Sequence, residues 1–257
     1  MIVYTKPKVY LIARPDINTS GVEKFLQAED SLWAQDDGVE LADADSLVEF
    51  AGRICYVSFG QKQGRKTNRG YLQNVLEQGH GSVFEHAQFT FLVTQASRGF
   101  THEMVRHRAG FAFSQESTHY IDYKPETAKL CVDPRMALEP SILEEFVRDA
   151  EEDVKVYRET YEQLLLKGYK KKEACSMARQ KLPTGLEAKL VFSANMRALR
   201  HFIEARCNEH NVLEIAEVAG QVLEIMKVEA PNAFADMFLE KAGNGSVIRA
   251  RSAYRKV

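Results

Sequence analysis

The chain has 257 residues, of which 45% are hydrophobic and 27% are charged, the composition of an ordinary globular protein. That composition excludes intrinsic disorder, and a formal charge of −2 leaves no global field to draw the protein onto nucleic acid or anionic lipid. No apolar run approaches the roughly 20 residues that span a bilayer, and residues 1–15 lack the pattern of a signal peptide. The four cysteines lie far apart without a C-x-x-C pair, which predicts a reduced cytoplasmic protein with no zinc site and no disulfide framework.

The pattern of apolar residues along the chain predicts one α/β domain. Residues 9–12 are predicted to form a strand, followed by helices at about 21–29, 45–57 and 67–78, a strand around 89–93 and a helix at 97–108. Helices are then predicted at 140–169 and 172–180, a strand at 190–193, and helices at 195–207 and 213–229. Residues 109–117 are predicted to be a loop, and the basic tail from residue 243 is predicted to be flexible.

The triplet Arg106-His107-Arg108 is the densest group of cationic and titratable side chains. Consecutive helical residues point about 100° apart, so the three side chains cannot share one face. On the predicted helix, Arg108 falls on the apolar side and Arg106 points away, near Glu103. A buried Arg needs a partner, whereas the structural alternative is that the cations simply offset the negative end of the helix dipole.

The helix that begins near Asn195 carries polar groups on two opposite sides. Asn195 and Arg206 lie within its apolar stripe, whereas Arg197 and His201 share the opposite side. The helix therefore faces two polar environments. The structural alternative is that Arg206 is bonded to a core carboxylate such as Glu214.

The stretch Gly79–His86 reads GHGSVFEH and contains two histidines and a glycine-rich break. The histidines are not spaced to share a helix face as in H-E-x-x-H, so we expect no metal here. The backbone amides of the break, together with Ser82, are predicted to cradle an anion.

A segment rich in hydroxyl and amide groups follows the arginine triplet, at residues 114–120. Ser117 is a candidate nucleophile with His107 or His119 as its base. No G-x-S-x-G elbow is present, and such loop residues more often bind ligands or cap turns, so the ligand-binding interpretation is favoured.

In this order and spacing, the segments resemble the flavin-dependent thymidylate synthase family from about Cys55 to Phe238. The anchors are residues 79–86, 106–108, 114–117 and 178–183, the pair Asn195 and Arg197, and Arg206 followed by His210 and Glu214-Ile215. The resemblance implies a single domain over residues 1–257 with a central mixed sheet flanked by long helices. It also implies a homotetramer whose active sites are built from several subunits.

The chemistry implied by this resemblance is reductive methylation of a nucleotide. Reduced FAD, regenerated from NADPH, would carry a methylene from methylenetetrahydrofolate to C5 of dUMP, giving dTMP without a cysteine nucleophile. In the anchors only Cys207, next to Arg206, is a cysteine. Uracil C5 becomes nucleophilic when the ring loses its N3 proton, and a preorganised cation in a dry site stabilises the resulting anion.

The resemblance also implies roles for individual residues. Arg206 matches the arginine that activates the uracil, and Arg179 matches the position that binds the nucleotide phosphate. The further positions that match nucleotide contacts are Glu103, Met104, Val105, Arg106, Gln115, Glu116, Ser117, Thr118 and His119. The positions that match FAD contacts are Ser82, Arg106, His107, Arg108, Gln115, Asn195, Arg197 and His201.

The sequence departs from the family pattern in two places. One more residue than usual separates the arginine triplet from Ser117, and His119 stands where an Arg commonly contacts the nucleotide phosphate. Because histidine is charged only below its pKa, this predicts weaker phosphate capture above neutral pH or a differently accommodated nucleotide.

Three alternative functions remain open from the sequence. The nearest is a paralogue that methylates UMP or another pyrimidine nucleotide at C5. A flavin oxidoreductase without methyl transfer is the second. The third is a nucleic-acid-binding module, against which the near-neutral charge and the lack of an aromatic-interleaved basic stripe argue.

Overall fold

A computed structural model describes residues 1–35, 41–241 and 247–254 of the chain. Its first elements are β1 (Ile2–Tyr4), β2 (Lys8–Ala13), α1 (Thr19–Ala28), α2 (Asp43–Tyr56), α3 (Asn68–Glu77), β3 (Gln88–Thr94), α4 (Arg98–Met104) and β4 (Phe111–Gln115). These are followed by β5 (Lys129–Cys131), α5 (Pro140–Leu166), α6 (Lys171–Ala178), β6 (Leu190–Asn195), α7 (Met196–Arg206), α8 (Leu213–Glu229), β7 (Met237–Lys241) and β8 (Val247–Ser252). The α/β class is confirmed.

Four strands form the central sheet, in the order β2-β3-β6-β4. Each neighbouring pair in this sheet is antiparallel, so the prediction of a mixed sheet is wrong for it. Parallel pairing occurs instead in a separate two-stranded sheet of β1 and β5. Alternate residues of β3, namely Phe89, Phe91 and Val93, point into the core, as the apolar alternation predicts.

Residues 111–115, which the sequence placed in a loop, form the edge strand β4. Phe111 lies opposite Ala194 and Phe113 opposite Phe192 of β6. The two phenylalanine rings stack on one face with their centroids 5.7 Å apart. The alternation of Phe with Ala and Ser is therefore typical of a strand, and this strand packs against β6.

Helix α4 ends at Met104, earlier than predicted. The amides of Arg106 and His107 bond to carbonyls three residues earlier, at 3.2 and 3.1 Å, which tightens the last turn. The chain then reverses at Gly110, whose φ is +75°, to enter β4. A helical projection therefore does not apply to the arginine triplet: Arg106 and Arg108 are both exposed, and His107 between them is half-buried.

Helices α7 and α8 cover the core side of the central sheet. Leu199, Phe202 and Ile203 of α7 belong to the same buried cluster as Val218 and Val222 of α8. The amphipathic pattern that predicts both helices reflects this packing. Within the described ranges, no helix is both long enough and apolar enough to cross a membrane.

The long helix α5 builds a second, smaller core with α6. Val154, Tyr157 and Tyr161 of α5 pack with Ala174 and Cys175 of α6. The second core therefore fixes α6 and the 3₁₀ turn that follows it, which carries Arg179.

Within the basic tail, which the sequence predicts to be flexible, residues 247–252 form β8 and pair antiparallel with β7. The amide of Ala250 donates to the carbonyl of Cys207 at 2.7 Å, which ties the tail to the end of α7. Residues 243–246 and 255–257 of the predicted tail lie outside the described residues.

The fully buried arginine of α7 is Arg200, which the sequence did not single out. Its side chain is 1% exposed and makes a bidentate ion pair with Asp236, with both N–O distances 2.8 Å. Burial disfavours the Asp236 carboxylate, but the hydrogen bonds and charge of Arg200, together with Ser252, lower the pKa of Asp236 overall.

Asp236→Ala is expected to lower the free energy of unfolding by about 3–5 kcal/mol, because it leaves the Arg200 charge buried and unpaired. Urea unfolding followed by circular dichroism measures the change. Glu152→Ala is the control, since it breaks an exposed ion pair with Lys155 (3.4 Å) and is expected to cost less than about 0.5 kcal/mol. Equal losses in the two variants would contradict this account of the buried pair.

Candidate active site

The first element of the site, α4, is anchored at its N-terminus by Glu214. The carboxylate of Glu214 accepts from the amide and the hydroxyl of Ser97, at 2.7 and 2.6 Å. The Ser97 hydroxyl also accepts from the amide of Phe100 and so caps the helix. Glu214 is thus engaged by Ser97, and the structural alternative in which it pairs with Arg206 is wrong.

Arg206 is the last residue of α7, and its guanidinium is held by side chains from three directions. Its Nε donates to Nε2 of His107 at 2.9 Å and its Nη1 donates to Oδ1 of Asn211 at 3.3 Å. The carboxylate of Glu103 approaches Nη1 at 3.5 Å, and the two side chains are 23% and 33% exposed. Nη2 has no partner in the described parts of the chain, so one edge of the cation remains available to a ligand.

His107 turns inward from the triplet and packs among aromatic rings. Its ring lies edge-on to Phe202, with centroids 5.1 Å apart, and is 5.8 Å from the ring of Phe111. Burial, then the positive charge of Arg206 and then His201, lower the pKa of His107 to about 4. His107 is therefore a neutral hydrogen-bond acceptor at physiological pH.

The segment of residues 115–119 is tied to α4 and to Lys189, which directly precedes β6. The Gln115 amide donates to the hydroxyl of Thr101 on α4 at 2.9 Å. Arg98, which the sequence did not single out, donates to the carbonyl of Glu116 at 3.0 Å. The Glu116 carboxylate itself accepts from the amide of Lys189 at 2.9 Å. The sequence gives one indication of the contact between Arg98 and Glu116, which is that Arg98 directly follows Ser97, the cap of α4.

The residues predicted to contact the nucleotide phosphate lie together at the end of this segment. Arg179 is exposed, and its guanidinium donates to the hydroxyl of Thr118 at 3.1 Å. In the described part of the chain no carboxylate pairs with Arg179. Nε2 of His119 is shielded from solvent and has no hydrogen-bond partner among these residues. Burial, then the charges of Arg179 and Lys172, lower the pKa of His119.

Two of the predicted nucleotide contacts, Met104 and Val105, have limited access to a ligand. The Met104 side chain is fully buried in the main core, and Val105, which directly follows α4, is half-buried. Ser117 is exposed, and its hydroxyl accepts from the amide of His119 at 3.3 Å. No imidazole contacts that hydroxyl in the described ranges, which gives no support to a serine nucleophile.

The residues predicted to hold FAD are divided between surface and structural positions. Arg106 and Arg108 are exposed and, in the portion that the structure describes, have no carboxylate partner. Ser82 is exposed on the 3₁₀ turn Gly81–Glu85, and Arg197 forms a 2.6 Å ion pair with Glu85 of the same turn. These cations and the hydroxyl are accessible to a ligand.

The two remaining FAD candidates lie at different depths on α7. His201 is exposed and lines a groove of about 770 Å³ together with Asn208 and Arg251. Asn195 is 9% exposed and caps α7 by accepting from the amide of Ala198 at 2.8 Å. Asn195 therefore has a structural role in addition to any contact with a ligand. Among the described residues, no group of three or more His, Cys, Asp or Glu side chains is arranged to hold a metal ion.

Comparisons with known proteins identify the class to which this site belongs. The family model described as thymidylate synthase complementing protein matches residues 39–232. The chain is 35% identical over 255 residues to a flavin-dependent thymidylate synthase of Mycobacterium marinum, and 35% identical over 254 residues to that of Mycobacterium tuberculosis. Each alignment covers 94% of both proteins. The chain is thus an enzyme of the thymidylate synthase complementing protein class. More particularly, it belongs to the flavin-dependent thymidylate synthase family, which implies a flavin cofactor.

The fold is similar to that of a solved structure, the UMP/dUMP methylase PolB from Streptomyces cacaoi bound with 5-Br dUMP. The TM-score is 0.65 at 22% identity, covering 91% of this chain and 96% of that chain. A structure of the same methylase bound with 5-Br UMP gives a TM-score of 0.63 at 23% identity. At this level of identity the likeness is one of fold.

Gly110→Ala is expected to destabilise the protein by about 1–3 kcal/mol, because Ala is strained at a positive φ. The Cβ of an alanine at this position would also lie 2.8 Å from both Asn195 Nδ2 and Ala198 Cβ, two atoms of residues at the start of α7. Thermal unfolding measures the loss. Gly64→Ala is the matched control, because a Cβ there meets nothing within 4 Å. Similar melting temperatures for the two variants would show that Gly110 is not required at this turn.

Proposed function

We propose that the protein makes dTMP from dUMP, with methylenetetrahydrofolate as the one-carbon donor and FAD reduced by NADPH as the source of hydride. The observation that carries this proposal is the guanidinium of Arg206, held on two of its nitrogens and with Nη2 unpartnered in the described chain. Its side chain is 23% exposed, so a bound nucleotide would exclude the remaining water.

The Arg206 cation supplies what the chemistry at uracil C5 requires. When the N3 proton is lost, negative charge spreads over the ring and C5 becomes nucleophilic. A fixed cation in a site of low dielectric stabilises that charge without the reorganisation that water would need. Arg179 would hold the phosphate, because a planar guanidinium without a carboxylate partner suits a dianion.

The cysteine nearest to Arg206 is not suited to nucleophilic attack. Cys207 is completely buried, and burial raises the pKa of its thiol to about 12. Because the thiolate is the nucleophile, Cys207 remains unreactive near neutral pH. This supports methyl transfer without a covalent bond from a cysteine to C6.

The residues on the exposed side of the site fit a flavin dinucleotide. A pyrophosphate needs cations that are not already paired, and Arg106 and Arg108 meet this requirement in the described ranges. Ser82 and Arg197 offer further hydrogen-bond donors, and His201 borders the groove on α7. Bound FAD would supply the reducing equivalent for the methyl group.

In a homotetramer, anions bound between subunits would neutralise these exposed cations. Light scattering that shows an active monomer would exclude this part of the proposal.

UMP is the alternative nucleotide, favoured by His119 and the extra loop residue and by the fold likeness to a UMP/dUMP methylase. Paired turnover assays with dUMP and UMP distinguish the two substrates.

Arg206→Ala is expected to reduce dTMP formation by about 100- to 1,000-fold, the loss that follows removal of one preorganised stabilising group. The assay contains FAD, NADPH, methylenetetrahydrofolate and dUMP, and NADPH should still bleach the flavin in the variant. Arg148→Ala is the control for loss of a cation, because Arg148 is 72% exposed on α5. Undiminished turnover by Arg206→Ala would rule out the proposed function.

The KM for the nucleotide is expected to stay constant between about pH 7 and about pH 8.5, because the lowered pKa of His119 keeps its imidazole neutral over that range. The first alternative from the sequence, weaker phosphate capture above neutral pH, predicts a rise instead. His119→Arg restores a permanent charge and is expected to lower KM by about tenfold equally at each pH. A wild-type KM that climbs toward higher pH, with a flat His119→Arg profile, would contradict the neutral imidazole.

A further inference from the structure

One hydrogen bond joins a residue predicted to contact the nucleotide to a residue predicted to contact the flavin. Nε of Arg206 donates to Nε2 of His107 at 2.9 Å, across 99 residues of sequence. Because Nε2 accepts, the imidazole is neutral and carries its proton on Nδ1. The resemblance to the family assigns His107 to FAD and does not account for this bond.

We infer that His107 is a positioning residue that fixes the guanidinium plane of Arg206 against the uracil, an inference that rests on the proposed function. An Arg side chain at the end of a helix has four rotatable bonds, and an acceptor on Nε removes the rotation of the terminal plane. Asn211 then holds Nη1 at 3.3 Å. The orientation of the free Nη2 is thereby determined by protein atoms before a nucleotide binds.

A neutral acceptor is the appropriate partner for a cation that must stabilise an anion. A carboxylate hydrogen-bonded to Nε would orient the guanidinium equally well but would cancel much of its charge. His107 orients the group and leaves the charge in place. Glu103 is the nearby carboxylate, and at 3.5 Å from Nη1, with 33% of its side chain exposed, it is partly screened by solvent.

The surroundings of His107 keep it rigid and neutral. Phe202 meets its ring edge-on at 5.1 Å and Phe111 lies at 5.8 Å, while His201 is the other titratable ring nearby, at 6.4 Å. Its pKa of about 4, set first by burial and then by the Arg206 charge, means that the imidazole remains a neutral acceptor near neutral pH. The imidazole is thus suited to fixing another group.

The test measures the N3 ionisation of a bound nucleotide rather than turnover. The probe is 5-fluoro-dUMP, bound to the flavin-loaded protein without folate or NADPH, and its ¹⁹F chemical shift is followed against pH. Wild type is expected to lower the N3 pKa of the probe by about one to three units, and Arg206→Ala to return it to the value of the free nucleotide.

Variants of His107 separate positioning from bulk. His107→Leu removes the acceptor at similar volume and is expected to raise the probe pKa by about one unit, which is about tenfold in anion stabilisation. His107→Gln places an amide oxygen near the position of Nε2 and is expected to restore the wild-type value. His107→Met is a second apolar variant in case His107→Leu does not fold. All are compared at saturating flavin, which is checked separately by flavin fluorescence, so that lost flavin contacts do not enter the result.

The outcomes distinguish the inference from the proposed function. If the apolar variants keep the wild-type probe pKa while Arg206→Ala raises it, His107 has no positioning role and the proposed function stands. If His107→Gln behaves like His107→Leu, the acceptor is not what matters and the inference also fails. If wild type leaves the probe pKa at its free value, as Arg206→Ala does, the proposed activation by Arg206 fails, and with it the role of His107.

Discussion

The rest of the site depends on a single hydrogen bond between a cation and a neutral ring, from Arg206 to His107. The bond holds a guanidinium in one plane without reducing its charge, which is what the proposed stabilisation of a uracil anion requires. Phe202 and Phe111 keep the imidazole in place. The aromatic core and the guanidinium of Arg206 are therefore joined through His107.

The scaffold brings these groups together by fixing the ends of two helices. Glu214 holds the start of α4 through Ser97, so that the end of α4 and the following turn reach the end of α7. The amide of Ala250 in β8 bonds to the carbonyl of Cys207, directly after Arg206. The tail thus stabilises the segment that carries the cation. Strand β8 is therefore part of the support of the candidate active site in this chain.

Charge is distributed to favour local rather than general binding of anions. The chain has 34 Lys and Arg against 36 Asp and Glu, yet Arg106, Arg108 and Arg179 lack carboxylate partners in the described ranges. Positions of this kind can bind phosphates without attracting nucleic acid. Because the pKa of His119 is lowered, the proposed phosphate position holds an uncharged imidazole near neutral pH, and Arg179 would supply the charge there.

The sequence alone determined the family, the class of fold and the long amphipathic helices, because apolar periodicity is a local property that survives in α5, α7 and α8. It also predicted that Arg206, Arg179 and the arginine triplet belong to the active site. Only the tertiary structure decided that 111–115 is a strand, that α4 ends at Met104 and that the tail pairs with β7. The tertiary structure also decided which side chains bond to Arg206, because the sequence contains possible hydrogen-bond acceptors at many positions. His107 is the acceptor because packing against β6 and among aromatic rings brings residues together that are far apart in the chain.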